Sequence, residues 1–107
     1  MNTVIKSSLE RSRSYQSYSD LIKQLVEDNS NTGIDKTEAL ANYTKLNYKR
    51  MKRWDKTIIV SDVAQKRITD FKHDVTWLVI AESWCGDAAH VVPALNKIAE
   101  LNAHINF

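Results

Sequence analysis

The chain has very little of what builds disulfide frameworks, phosphate loops and membrane spans. Its 107 residues include one cysteine, one proline and two glycines. A single cysteine excludes an internal disulfide and is typical of a protein from a reducing compartment. Two glycines cannot form a glycine-rich phosphate-binding loop. Because no run of about 18 apolar residues occurs, the sequence predicts no membrane span.

Charge and the chain start narrow the function classes further. The formal net charge of +2 gives the whole chain no strong preference for anionic or cationic partners. The first residues are polar and lack the apolar core of a secretory signal, so we expect a cytoplasmic protein. His73 and His104 lie at no metal-ligand spacing from each other or from Cys85. The sequence therefore predicts neither a metal site nor a cofactor.

The first part of the chain has helical patterns. Polar residues 1–14 predict a loose arm or a weak helix. Ser17 or Ser19 can cap a helix that continues to about Glu27, because serine is favoured at the N-cap. We interpret residues 1–56 as a helical N-terminal extension.

A second helix is predicted from near Asp35 to about residue 55, with Glu38 at the spacing of a capping box. Its apolar stripe consists of Leu40, Tyr43, Met51 and Trp54. Polar Asn47 interrupts that stripe. Basic residues are concentrated in residues 45–56: Lys45, Lys49, Arg50, Lys52, Arg53 and Lys56. Such a face can bind nucleic acid or an acidic partner, but it is more often only a solvated surface.

The second part of the chain alternates predicted strands with helices. The predicted strands are residues 57–60, residues 77–81 and a third strand that begins at Ile105. The first is β-branched, and the second is a continuous apolar run, as in a strand buried on both faces of a parallel sheet. Helices are predicted between the strands. This βαβαβ order indicates an α/β fold.

The segment Trp84-Cys85-Gly86-Asp87-Ala88 stands where the second predicted strand passes into the last predicted helix. The free N–H groups and the dipole at a helix N-terminus favour a thiolate. Asp87 has opposing effects, because its carboxylate suits the first helical turn but disfavours a neighbouring thiolate. Cys85 is therefore the candidate nucleophile for thiol–disulfide exchange. The alternative is a small buried apolar side chain without chemistry.

These residues resemble the active-site sequence of the thioredoxin family, Trp-Cys-Gly-Pro-Cys, which lies between a central strand and the following helix. Pro93, eight residues after Cys85, matches the proline that kinks this helix in family members. Residues 81–88 resemble a bacterial subgroup of thioredoxin-like proteins with a helical N-terminal extension. The resemblance implies a thioredoxin-like α/β domain over residues 57–107. It also implies that Trp84 shields the cysteine and contacts partners.

Asp87 replaces the family's proline, and two further positions depart from the family pattern. Ala88 stands where the family has its second, resolving cysteine, and Val79 stands where it has a buried acid that acts as a general base. An outside thiol must therefore resolve any mixed disulfide on Cys85. The resemblance implies monothiol exchange with a protein disulfide or a small-thiol disulfide. Whether the chain is an enzyme stays open, since the alternative is a non-catalytic binding or scaffold domain.

The family's remaining elements have no counterpart before Phe107. These are a further helix, a cis-proline loop, and a closing hairpin with a last helix. We interpret the chain as the front half of a longer protein, and the alternative is a complete small helical protein. In a half domain the strand at residues 77–81 has an unpaired edge. We therefore expect marginal stability or self-association through that edge.

Overall fold

Four helices precede the first strand of the protein. The computed structural model describes residues 2–107. The helices are α1 (Thr3–Glu10), α2 (Tyr15–Glu27), α3 (Glu38–Thr57) and α4 (Asp62–Asp70). They are followed by β1 (Val75–Thr76), α5 (Gly86–Glu100) and β2 (Ile105–Asn106). A βαβ unit thus comes after a helical N-terminal part.

A polar side chain caps the N-terminus of each of the first four helices. The capping residues are Asn2, Ser14, Thr37 and Ser61, and each accepts a hydrogen bond from a backbone N–H of the first turn. The predictions of a cap at Ser17 or Ser19 and of a helix start near Asp35 are therefore wrong. Ser14 and Thr37 have the extended backbone that an N-cap requires, whereas Ser19 is buried inside α2.

The core lies where α2, α3 and α5 meet. It is formed by one side chain from each helix, Ile22, Met51 and Ala89, and each is at most 2% exposed. Four partly buried residues pack around this cluster: Tyr15, Tyr18, Val26 and Tyr48. The thiol-bearing helix α5 is thus held by two helices from the N-terminal part of the chain.

The buried face of α3 differs from the predicted apolar stripe. It consists of Ala41, Thr44, Asn47 and Met51, which recur at the three- to four-residue spacing of one helix face. Tyr43, which was predicted to be part of the stripe, is 55% exposed. Asn47 does not interrupt the buried face but belongs to it, because both its amide nitrogen and its amide oxygen are hydrogen-bonded inside the protein.

The two strands form a parallel sheet. Val75 pairs with Ile105 and Thr76 pairs with Asn106. The Trp77 N–H extends this ladder by donating to the Asn106 carbonyl at 2.8 Å. The strand predicted to begin at Ile105 is confirmed. The strand predicted over residues 77–81 is displaced to residues 75–76, because the described part of the chain offers no partner strand beyond that point.

The strand predicted over residues 57–60 is wrong. Helix α3 continues through Thr57, and Ile58 is its C-cap. Ile59 is 91% exposed, and no strand in residues 2–107 pairs with this segment. β-branched residues favour a strand where a neighbouring strand lets their side chains pack on a sheet, and here no strand in the described part of the chain lies alongside. The structure therefore contains one βαβ unit in place of the predicted βαβαβ order, within a fold that remains α/β.

A cleft of about 880 Å³ separates α1 and α2 from residues 77–81. Its walls include Tyr15 and Tyr18 on one side and the apolar segment on the other. This segment therefore faces a cleft on one side instead of a packed sheet, which is why Ile80 is 88% exposed and Val79 is 39% exposed.

Candidate functional site

Cys85 is the N-cap residue of α5. Its backbone is extended (φ −83°, ψ 116°), and its N–H donates to the Glu82 carbonyl at 3.0 Å. The side chain is half-buried and makes no capping hydrogen bond. The first N–H groups of a helix have no acceptor within the helix. The thiol therefore lies next to uncommitted donors at the positive end of a 15-residue helix.

Ser83 anchors the chain two residues before the cysteine. Its side chain is fully buried, and its hydroxyl bonds the Thr44 hydroxyl of α3 at 2.8 Å. The same hydroxyl accepts from the Thr32 N–H at 3.0 Å, and the Ser83 N–H donates to the Thr32 hydroxyl oxygen at 2.9 Å. The Thr32 hydroxyl in turn donates to the Glu82 carboxylate. The loop between α2 and α3 thus holds in place the segment of chain that leads into Cys85.

Asn47 connects this segment to a cation. Its side-chain amide donates to the Ser83 carbonyl at 2.9 Å and accepts from Arg50 Nη1 at 3.0 Å. Arg50 Nη1 lies 3.3 Å from the place that a Cβ on Gly86 would occupy. A larger residue at position 86 would crowd the guanidinium. Gly86 therefore allows Arg50 to lie directly against the first turn of α5.

The other motif residues surround the same end of α5. Trp84 is 39% exposed, and its indole Nε1 approaches Gly33 in the loop before α3. Asp87 is exposed in the first turn, and Ala88 is half-buried in that turn. Pro93 is buried inside the helix. The partial exposure of Trp84 leaves its indole available to a partner molecule.

Two tyrosines of α2 have raised pKa values, and Tyr18 is the one that interacts with Cys85. Burial, assisted by the charges of Glu82 and Cys85, raises the pKa of Tyr18 from 10.0 to about 12. Tyr15 donates to Asp55 Oδ1 at 2.6 Å, and burial together with this carboxylate raises its pKa well above the usual value. Both hydroxyls keep their protons at neutral pH. Tyr18 therefore stands near Cys85 as a neutral phenol.

A family model described as thioredoxin matches residues 33–107, which include α3, α5 and both strands. The chain belongs to the thioredoxin family. Family membership together with the parallel βαβ unit establishes a thioredoxin-like α/β fold. The match begins before α3, whereas the sequence pattern divides the chain at residue 57, and that division stays a prediction. No curated protein and no solved structure matches the chain.

Several residues of this candidate site were not found by sequence reasoning. Thr32, Thr44 and Ser83 form a buried hydroxyl cluster, and Arg50 contacts Gly86. Asn47 gave a signal, because a polar residue on an apolar helix face indicates a buried hydrogen-bonding partner. Arg50 could not be distinguished from its basic neighbours. His90 lies on the exposed surface, where its Nδ1 accepts from Trp54 Nε1 at 2.7 Å.

The described part of the chain also bears on metal and membrane binding. Residues 2–107 contain no group of three or more His, Cys, Asp or Glu side chains that could hold a metal ion. None of the helices within that range is long and apolar enough to cross a membrane.

Ser83→Ala should lower the free energy of unfolding by about 1–3 kcal/mol, since it leaves the buried Thr44 hydroxyl and Thr32 N–H without their shared partner. Urea titration followed by circular dichroism measures this loss. Ser12→Ala, at an exposed serine, is the matched control and should change stability by less than about 0.5 kcal/mol. Equal stability of the two variants would show that the hydroxyl cluster does not hold the site segment.

Alkaline pH should destabilise the protein through Tyr18. The pKa of Tyr18 is about 12 in the folded chain and 10.0 ordinarily, so the folded state retains a proton that the unfolded state releases. The contribution of Tyr18 to the free energy of unfolding is fully present below pH 10.0, declines as the pH rises towards about 12, and is lost above that pH. Thermal melts between these pH values should show a shallower decline in Tyr18→Phe. Tyr43→Phe, at an exposed tyrosine, is the control. If the melting temperature of Tyr18→Phe falls with pH as steeply as that of the wild type, the assignment of the effect to Tyr18 is wrong.

Proposed function

We propose that this member of the thioredoxin family carries out thiol–disulfide exchange through Cys85 as a monothiol. The observation that carries the proposal is the placement of this thiol. It is half-buried, is the N-cap residue of α5, and has no capping hydrogen bond that would occupy its sulfur. Family membership supports disulfides as the substrate class.

In the proposed reaction the Cys85 thiolate attacks one sulfur of a substrate disulfide. A new S–S bond forms between Cys85 Sγ and that sulfur, and the original S–S bond breaks. The second substrate sulfur leaves with the electron pair and takes a proton from solvent. The N–H groups at the start of α5 stabilise the attacking thiolate, while the exposed Asp87 carboxylate opposes it.

Resolution of the mixed disulfide requires a second molecule. Cys85 is the only cysteine of the chain, and Ala88 occupies the position from which a thioredoxin thiol would attack. An outside thiol must therefore attack the mixed disulfide and regenerate Cys85. A cytoplasmic location would supply such thiols, and we propose it for that reason. Trp84 and Asp87 flank the cysteine and are proposed to contact the incoming partner.

The stoichiometry of exchange with a small neutral disulfide tests this function. We expect hydroxyethyl disulfide to give a single mixed disulfide per chain, with release of an equal amount of mercaptoethanol, measured by intact mass spectrometry and thiol titration. Added mercaptoethanol should reverse the adduct completely. Cys85→Ser provides the blank for both measurements.

The same experiment separates exchange from a scaffold role. If the native chain fails to form the adduct and reacts only after denaturation, the thiol is structural and the domain is a non-catalytic scaffold. A mixed disulfide that added mercaptoethanol fails to reverse would instead contradict resolution by an outside thiol.

A further inference from the structure

Arg50 differs from the other basic residues of α3. Lys45, Lys49, Arg53 and Lys56 are exposed, and half-buried Lys52 lies over the Tyr48 ring, whereas half-buried Arg50 is hydrogen-bonded to Asn47. Its guanidinium is held by Asn47 and lies against Gly86, the residue that follows the reactive cysteine. Arg50 is therefore an oriented cation at the first turn of α5, next to the residue that follows Cys85, and its exposed neighbours form an ordinary solvated face.

The guanidinium also has unused binding capacity. An arginine side chain has five N–H donors. Within residues 2–107, Arg50 donates one hydrogen bond to a side chain, that of Asn47, and forms no ion pair with a carboxylate. The remaining donors form the planar fork that binds carboxylates in two-point contacts. The start of α5 adds favourable potential for an anion at the same place.

We propose that Arg50 makes Cys85 selective for disulfides that carry a carboxylate close to the S–S bond, with the guanidinium binding the carboxylate while the thiolate attacks. This inference rests on the proposed exchange function and names its substrate class. Asn47 is a positioning residue in this scheme, because it holds Arg50 through one amide atom and the Ser83 carbonyl through the other.

Two acidic residues near the site bear on this selectivity. The Glu82 carboxylate accepts a hydrogen bond from the Thr32 hydroxyl, and Asp87 is exposed on the first turn of α5. If Asp87 governed the approach of substrates, the site would favour cationic disulfides. If Arg50 governs it, as we propose, the site favours anionic disulfides. The charge preference therefore decides between the two residues.

The test compares exchange rates with disulfides of different charge: dithiodiglycolate, hydroxyethyl disulfide and cystamine. Each rate is compared between variants, so that the intrinsic reactivity of each disulfide cancels. Relative to the reaction with hydroxyethyl disulfide, Arg50→Gln should slow the reaction with dithiodiglycolate by about fivefold and should speed the reaction with cystamine. Lys49→Gln, at the exposed neighbour, should change none of the rates by more than about twofold.

Two results would overturn the proposal while leaving the exchange function intact. One is an equal loss of rate for all three disulfides in Arg50→Gln, which would mean that Arg50 acts on the thiol or on the fold. The other is an unchanged rate with dithiodiglycolate. Arg50→Lys, which keeps the charge, should retain most of the anionic rate. A wild-type protein that reacts with none of the disulfides would refute the proposed function itself.

Discussion

An Ala88→Cys substitution should convert the stable mixed disulfide at Cys85 into a transient one and should produce an internal disulfide. Position 85 is the N-cap of α5 and position 88 is in its first turn. Side chains three residues apart on a helix have Cβ atoms about 5–6 Å apart, which a small adjustment brings within disulfide reach. The new thiol should then attack the mixed disulfide and release the small thiol without outside help.

The readout of Ala88→Cys is the oxidised species that accumulates with hydroxyethyl disulfide. Intact mass should show loss of two hydrogens in this variant and an adduct in the wild type. Ala94→Cys is the matched control, because it adds a thiol to the same helix but too far from Cys85 for a bridge. Accumulation of adducts in Ala88→Cys would mean that the first turn of α5 is not built as the structure shows. We expect the Ala88→Cys variant to turn over slowly, because Val79 stands where the family has its buried acid.

Met51→Ala should produce the largest loss of stability, about 2–5 kcal/mol. Met51 is 2% exposed and joins α3 to Ile22 of α2 and Ala89 of α5. Its removal leaves a cavity where the three helices meet. Domains of this size have a total stability of only about 5–15 kcal/mol. The variant should therefore be partly unfolded at physiological temperature, which urea titration and thermal melting will measure.

Two control variants distinguish the cavity from a general effect of substitution. Met51→Leu nearly conserves volume and should cost less than about 1.5 kcal/mol. Leu46→Ala removes a side chain of α3 that is 41% exposed and should cost far less than Met51→Ala. Equal losses for Leu46→Ala and Met51→Ala would show that the core does not lie between α2, α3 and α5.

The local elements that the sequence predicted well are those with a strong local signal. The helix over α5 and the strand at Ile105 follow from apolar periodicity and from a turn of polar residues between them. The strand at residues 57–60 failed because a β-branched run specifies a strand only when another strand is available to pair with it. The same reason explains the displacement of the second strand to residues 75–76, since pairing partners are set by the tertiary structure.

The candidate site likewise has one part that the sequence predicts and other parts that it does not. The position of Cys85 at a helix start could be predicted from the residues on either side of it. The cluster that holds it could not, because Thr32 and Ser83 are 51 residues apart and neither has a distinctive sequence context. Arg50 was concealed for a different reason. It lies in a basic segment, and only the amide of Asn47 and the absence of a Cβ on Gly86 select it from its neighbours.

The rate at which hydroxyethyl disulfide modifies Cys85 in the folded chain, relative to the chain unfolded in urea, tests the central claim most directly. If the helix start and the cluster around Ser83 present an activated, reachable thiol, the folded chain should react at least as fast as the unfolded one at neutral pH. A folded chain that reacts orders of magnitude more slowly, and only at the rate of unfolding, would show that Cys85 is a buried structural residue.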